Sequence, residues 1–168
     1  MSQTYVVSTA VLRDHIAYNQ WAIRRLLKAC EALMPDQIER DFGTADKSIG
    51  GTMLHIHRSE RMWLQRILGE SQAYRQADDS FSTAVHAWPA LHERWRAWIS
   101  GLSDDQVTAV IEYRDLKDTP RSSVLWHILL HVVNHGTHHR GQVSGFLRAL
   151  GTTPPPLDYI AWVRERES

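Results

Sequence analysis

Four stretches of this chain repeat their apolar residues at intervals of three and four, the spacing of a helix that buries one face. The first covers residues 11–33, with Leu12, Ile16, Ile23, Leu26, Leu27, Cys30 and Leu33 on one stripe and Pro35 as the stop signal. The second covers 48–68: Ser48 is the N-cap, Ile49, Met53, Ile56, Trp63, Leu64 and Ile67 form the stripe, and Gly69 ends it. Gly50 and Gly51 weaken helical propensity in its first turn. A polar connector over 70–80 leads to the third helix, which carries Trp88, Leu91, Trp95, Trp98 and Leu102. Pro89 either kinks this helix or marks its first turn. The fourth spans 122–150, with Gly151 just past its end.

Residues 107–114 are rich in β-branched side chains and run into the turn-like Asp115, Leu116, Lys117 and Asp118. They read as a short hairpin or extended connector, because no further strands exist to complete a sheet. Pro154, Pro155 and Pro156 enforce an extended segment, followed by a short helix or coil around 158–164. Four amphipathic helices that must each bury one face pack most simply as an all-α four-helix bundle, here one domain over residues 1–168. The connectors are too long to force up-down-up-down order.

Lys plus Arg and Asp plus Glu both number 19, so no charge imbalance points to nucleic acid or an anionic membrane. The N-terminus has no basic region followed by an apolar one, and no apolar run approaches the roughly 20 residues that span a bilayer. Cys30 is the single cysteine, which excludes an internal disulfide and fits a reducing compartment, so the expected location is the cytoplasm. Its place on an apolar stripe makes it a small buried hydrophobe rather than a nucleophile.

Chemistry concentrates in the fourth helix, where His131, His135, His138 and His139 fall within nine residues. Side chains four apart share a helix face, so His131, His135 and His139 form a ladder that His127 extends by one turn. An i, i+4 histidine pair can chelate one ion without bending the backbone, and imidazole suits zinc, copper, iron and nickel. A third ligand must come from elsewhere. Bundle sites are built from facing helices, which favours His55 and His57 over His86 and His92 on the tryptophan-rich third helix. The residues alone leave open the choice between the pairs 131/135 and 135/139. They also leave open the choice between His55 and His57, with His57 closer to the apolar stripe.

The blocks Tyr18-Asn19-Gln20-Trp21-Ala22, Ser48-Ile49-Gly50-Gly51-Thr52-Met53-Leu54-His55-Ile56 and Asn134-His135-Gly136-Thr137-His138-His139-Arg140-Gly141-Gln142 resemble the DinB/YfiT-like family. The tail Pro154-Pro155-Pro156-Leu157-Asp158-Tyr159 resembles that family's C-terminal signature. The resemblance implies a four-helix bundle, often a homodimer, with one divalent metal held by three histidines that fall here on His55, His135 and His139. Zinc or nickel is the expected ion, with iron or manganese behind them. Three neutral imidazoles leave an open position, the arrangement of a catalytic site. Asn134, His131 and Glu60 are candidates to orient the ligands, although Glu60 reads equally as a solvated helix residue and His131 as a satisfied histidine. His138 reads as pocket or solvent-facing, and Arg140 as part of the block or as a partner for a surface carboxylate. Trp88, Trp95 and Trp98 read as core, Trp63 less firmly so.

Members of the wider superfamily bind a low-molecular-weight thiol such as bacillithiol or mycothiol on the metal. The resemblance therefore implies a metal-dependent thiol S-transferase or detoxification enzyme acting on a small electrophile. One alternative is a metal-dependent hydrolase, which needs a proton acceptor near the metal; Glu60 and His138 are the candidates. The other is a non-enzymatic metal-binding stress-response module, whose site would be closed by a fourth ligand.

Overall fold

The computed structural model describes residues 6–70, 74, 76 and 79–168. In chain order the elements are α1 (Thr9–Cys30), α2 (Pro35–Glu39), α3 (Ile49–Leu68), α4 (Phe81–Ser100), a short 3-10 turn (Gln106–Thr108), β1 (Val110–Arg114), β2 (Pro120–Val124), α5 (Leu125–Ala149) and α6 (Tyr159–Glu167). The four apolar stripes become α1, α3, α4 and α5, which form a four-helix bundle. Ala22, Ile23 and Leu26 of α1, Ile49, Met53, Ile56 and Leu64 of α3, and Val143 and Leu147 of α5 have no exposed surface. Trp88 and Trp95 of α4 fill the same core, while Trp63 and Trp98 are half-buried at its edge.

Helix α3 packs against α4 and α5, and α1 packs against the same two. Two of the three consecutive pairs therefore sit across diagonals, α1 opposite α3 and α4 opposite α5, while α3 and α4 are neighbours, so the helices do not follow one another around a ring. The long connectors permit this, since a diagonal crossing needs more chain than a tight turn. One carries α2 and the other carries the hairpin. The consequence for function is that α3 and α5, the two histidine-bearing helices, lie side by side.

Several boundaries differ from the sequence expectation for local reasons. Helix α1 stops at Cys30, before Leu33, and Pro35 does more than end a helix: it occupies the first turn of α2, where its missing N–H costs nothing. Helix α4 begins at Phe81, capped by Ser80 Oγ accepting from the Thr83 N–H at 3.1 Å, so Pro89 lies inside it and does not mark its start. Helix α5 starts at Leu125 and not at residue 122, because Ser122 and Ser123 pair with Glu112 and Ile111 in the antiparallel hairpin. At the start of α3, Ser48 Oγ accepts from the Gly51 N–H at 3.0 Å, and a Cβ on Gly51 would run into the Asp46 carbonyl. The glycine is tolerated there because the preceding loop folds closely over the helix.

The tail is tied to the bundle. Tyr18 donates its hydroxyl to the Leu157 carbonyl at 2.8 Å, and Trp162 of α6 is buried. Cys30 is also buried, and burial pushes its thiol up to about 12, which suits packing and not nucleophilic attack. Among the described residues no helix is long and apolar enough to cross a membrane.

Candidate metal centre

His135 and His139 lie one turn apart on the face of α5 that meets α3, and His55 projects from the second turn of α3 toward them. Their ring centroids are 4.8 Å (His55–His135), 4.4 Å (His55–His139) and 4.5 Å (His135–His139) apart. The Nε2 atoms of His55 and His135 are 2.9 Å apart, and one nitrogen from each of the three rings lies within 4.8 Å of the others. Zinc–imidazole bonds of about 2.0–2.1 Å put two ligand nitrogens on one ion roughly 3–3.5 Å apart, so a small ring rotation closes the set.

Two outer partners hold these rings in the orientation that an ion needs. The Tyr74 hydroxyl is 2.8 Å from His55 Nδ1, a contact that fixes the ring with Nε2 facing His135. His139 donates from Nδ1 to Gln142 Oε1, also at 2.8 Å. The Asp46 carboxylate, in the loop before α3, lies 3.6 Å from His55 Nδ1 and 4.0 Å from His139 Nδ1. Burial, reinforced by the neighbouring imidazoles, pushes His135 down to about 3. His55 is lowered as well, mainly by burial and partly opposed by Asp46. Both rings are thus neutral at pH 7, as metal ligands must be. The donor set, the orientation of its rings and the lowered basicity of His55 and His135 fit one divalent ion.

The other candidates lie elsewhere. His57, favoured by its closeness to the apolar stripe, is in the core against Trp88 at 5.1 Å between centroids, and burial lowers it to about 4. His131 meets Trp63 edge-to-face, with 5.3 Å between ring centroids, and is tilted against His135 at 5.7 Å, so it borders the centre without joining it. His138 is exposed, with its ring against that of His139. Asn134 is exposed too.

Glu60 is not a solvated helix residue, and it does not belong to the histidine cluster. Its carboxylate is buried, accepting from Asn19 Nδ2 at 2.6 Å and Trp88 Nε1 at 2.9 Å. Burial alone would raise it, but His92, Trp88 and Asn19 together hold it below its ordinary value. Arg140 is likewise buried and is not a surface partner. Sequence reasoning missed Asp46 and Tyr74, which lie in irregular segments where no periodicity marks them.

A sequence profile of the DinB family matches residues 1–167. The Protein DinB of Bacillus subtilis (strain 168) is 23% identical over 152 residues, covering 84% of this chain and 87% of the relative. Two solved structures share the fold. A DinB-like protein from Bacillus cereus ATCC 10987 has a TM-score of 0.61 at 18% identity, over 81% of this chain and 90% of that one. YfiT from Bacillus subtilis, described as a probable metal-dependent hydrolase with an unusual four-helix bundle topology, has a TM-score of 0.66 at 16% identity, over 91% and 95%. The profile spans the helices that bring the three histidines together, and this chain belongs to the DinB family.

Proposed function

We propose that this protein is a metal-dependent enzyme that joins a low-molecular-weight thiol to a small electrophile, with the ion held by His55, His135 and His139. The ion, zinc or nickel by the borderline character of three imidazoles, supplies Lewis acidity and lowers the pKa of a thiol or water reaching its open position. Tyr74 and Gln142 orient the rings of His55 and His139, and Asp46 adds a compensating negative charge behind them.

One observation carries the choice of nucleophile. Among the described residues Asp46 is the only carboxylate within 4.0 Å of these imidazole nitrogens, and it lies on the Nδ1 side of the rings, away from the cluster centre. Glu60 is engaged in the core and His138 is exposed, so neither is placed to take a proton from water. A thiol, with an ordinary pKa near about 8.5, needs no such base once an ion is present. Its proton passes to solvent, its sulfur forms a bond to the electrophilic carbon, and the leaving group departs with the bonding electrons.

The description of YfiT supports a second reading, in which water is the nucleophile and Asp46 the nearest proton acceptor. The cluster of described residues contains three potential ligands and no fourth, which argues against a closed, purely storage-like site.

In cobalt-loaded protein, a panel of bacillithiol, mycothiol, glutathione and coenzyme A should include one thiol that produces a thiolate charge-transfer band. That thiol should be consumed with a chlorodinitrobenzene-type electrophile only when metal is present. His135→Ala should abolish the rate and Cys30→Ala should leave it intact. Neither band nor turnover across the panel rejects the transferase reading, and ester or amide hydrolysis by the same protein would establish the hydrolase in its place.

Chelation should lower the melting temperature while the far-UV circular dichroism stays helical, because the core is built from apolar contacts that need no ion. Complete unfolding on chelation would make the site structural and count against catalysis. We also propose a homodimer acting in the cytoplasm, the latter from the single buried thiol of Cys30. Sedimentation at micromolar concentration should give a species of twice the 19.4 kDa chain mass, and chain-mass species alone would reject the dimer.

A further inference from the structure

Each candidate ligand on α5 is followed by a residue that turns into the bundle instead of toward the histidines. Gly136 follows His135, Arg140 follows His139, and both are buried. Arg140 is only 1% exposed, yet among the described residues no carboxylate lies within 4.0 Å of its guanidinium. Its Nη1 donates to Asn19 Oδ1 and its Nη2 to Thr137 Oγ1 at 2.8 Å, with the guanidinium 5.4 Å from the centroid of the Tyr18 ring. The other end of the same amide, Asn19 Nδ2, donates to Glu60 Oε1 at 2.6 Å. The second oxygen of Glu60 accepts from Trp88 Nε1 at 2.9 Å and lies 3.4 Å from His92 Nε2.

One amide on α1 thus joins a buried acid on α3 to a buried base on α5. Isolated buried charges are costly, so both depend on the bridge between them. Its polarity is matched, with the donor end toward the acid and the acceptor end toward the base, and a flipped amide would face like against like at both ends. Space for it exists because residue 136 is glycine: a Cβ there would lie 2.6 Å from both Arg140 Nη1 and Asn19 Oδ1.

Successive residues on a helix are roughly 100° apart, so positions 136 and 140 form a stripe beside that of 135 and 139 on the same turn. Anchoring one stripe sets the rotation of the other. On α3, Glu60 lies little more than one turn beyond His55, and Asn19 reaches it across the bundle diagonal.

We infer that the Glu60–Asn19–Arg140 bridge positions the metal centre, by fixing the rotation and register of α3 against α5 and hence the distance from His55 to His135 and His139. The three are positioning residues, since none belongs to the histidine cluster. The inference rests on the three-histidine metal reading but not on the identity of the nucleophile.

The test compares Asn19→Leu, which removes both ends of the bridge at similar volume, with Ile99→Ala, a core substitution on α4 away from it. Metal affinity by chelator competition, the visible spectrum of the cobalt-loaded protein and the melting temperature of the metal-free protein are read together. Asn19→Leu should weaken affinity by about 10-fold or more, the size of effect seen when an outer partner of a metal ligand is lost, and should shift the cobalt bands. Ile99→Ala should lower the melting temperature and leave affinity and spectrum unchanged. Should Asn19→Leu fail to fold, Glu60→Gln and Arg140→Lys, which keep most of the shape, should show the same spectral shift with a smaller loss of affinity. Folded bridge variants with wild-type affinity and spectrum would overturn the inference, as would an equal loss in Ile99→Ala. A wild-type chain that binds no ion rejects the three-histidine reading and this inference together.

Discussion

Replacing any one of His55, His135 and His139 with alanine is expected to strip most bound metal, whereas His57→Ala and His138→Ala should retain it. The three rings converge with one nitrogen each inside a 4.8 Å cluster, so removing one leaves two donors and a second open position. The loss should exceed the roughly 10–100-fold that an outer partner costs, because a bond to the ion disappears along with its orientation. His57 is one turn-face away in the core against Trp88, and His138 faces outward, so neither substitution subtracts a donor. Metal analysis of dialysed variants decides the matter, and full occupancy in His55→Ala would reject the set.

Acidification should destabilise the metal-free protein well before its carboxylates protonate. His57 is held neutral in the fold, lowered by burial from the ordinary 6.5 to about 4. Between those two values the unfolded chain binds a proton that the native state refuses, so stability rises with pH through this window. The contribution is therefore present above about pH 6.5 and is lost progressively as pH falls toward 4. For His57 the difference corresponds to roughly 3 kcal/mol, a large share of the stability of an ordinary domain. His135, pushed down to about 3, adds in the same direction. Urea titrations at pH 7 and pH 4.5 should show the loss, and His57→Phe, which cannot protonate, should show less of it. A wild-type stability that is flat across this range would contradict the burial of these two rings.

The bundle could be read from the sequence because its helices announce themselves by spacing alone: the stripe from Leu12 to Cys30 and that from Ile49 to Ile67 both appear as buried faces. The i, i+4 geometry of His135 and His139 likewise needs nothing beyond the helix itself. Choosing His55 over His57 did need more, since their positions on α3 become distinguishable only once α5 is known to lie beside it. The diagonal order of the helices was out of reach because connector length permits a crossing without requiring it. Asp46 and Tyr74 belong to irregular segments, where contacts depend on tertiary folding and leave no periodic trace. Glu60 and Arg140 were misleading for a different reason. A charged side chain in an amphipathic helix reads as solvated, and the partners that compensate their burial, the Asn19 amide from a third helix together with Trp88 for Glu60 and Thr137 for Arg140, are known only from the fold.

X-ray absorption at the metal edge of the loaded protein tests the central claim most directly. The account predicts about one ion per chain, with a shell that contains three imidazole nitrogens at roughly 2.0–2.1 Å for zinc. His55→Ala should lose either the ion or one nitrogen from that shell. A shell dominated by carboxylate oxygen or sulfur in the absence of added thiol, or one unchanged in His55→Ala, would contradict it.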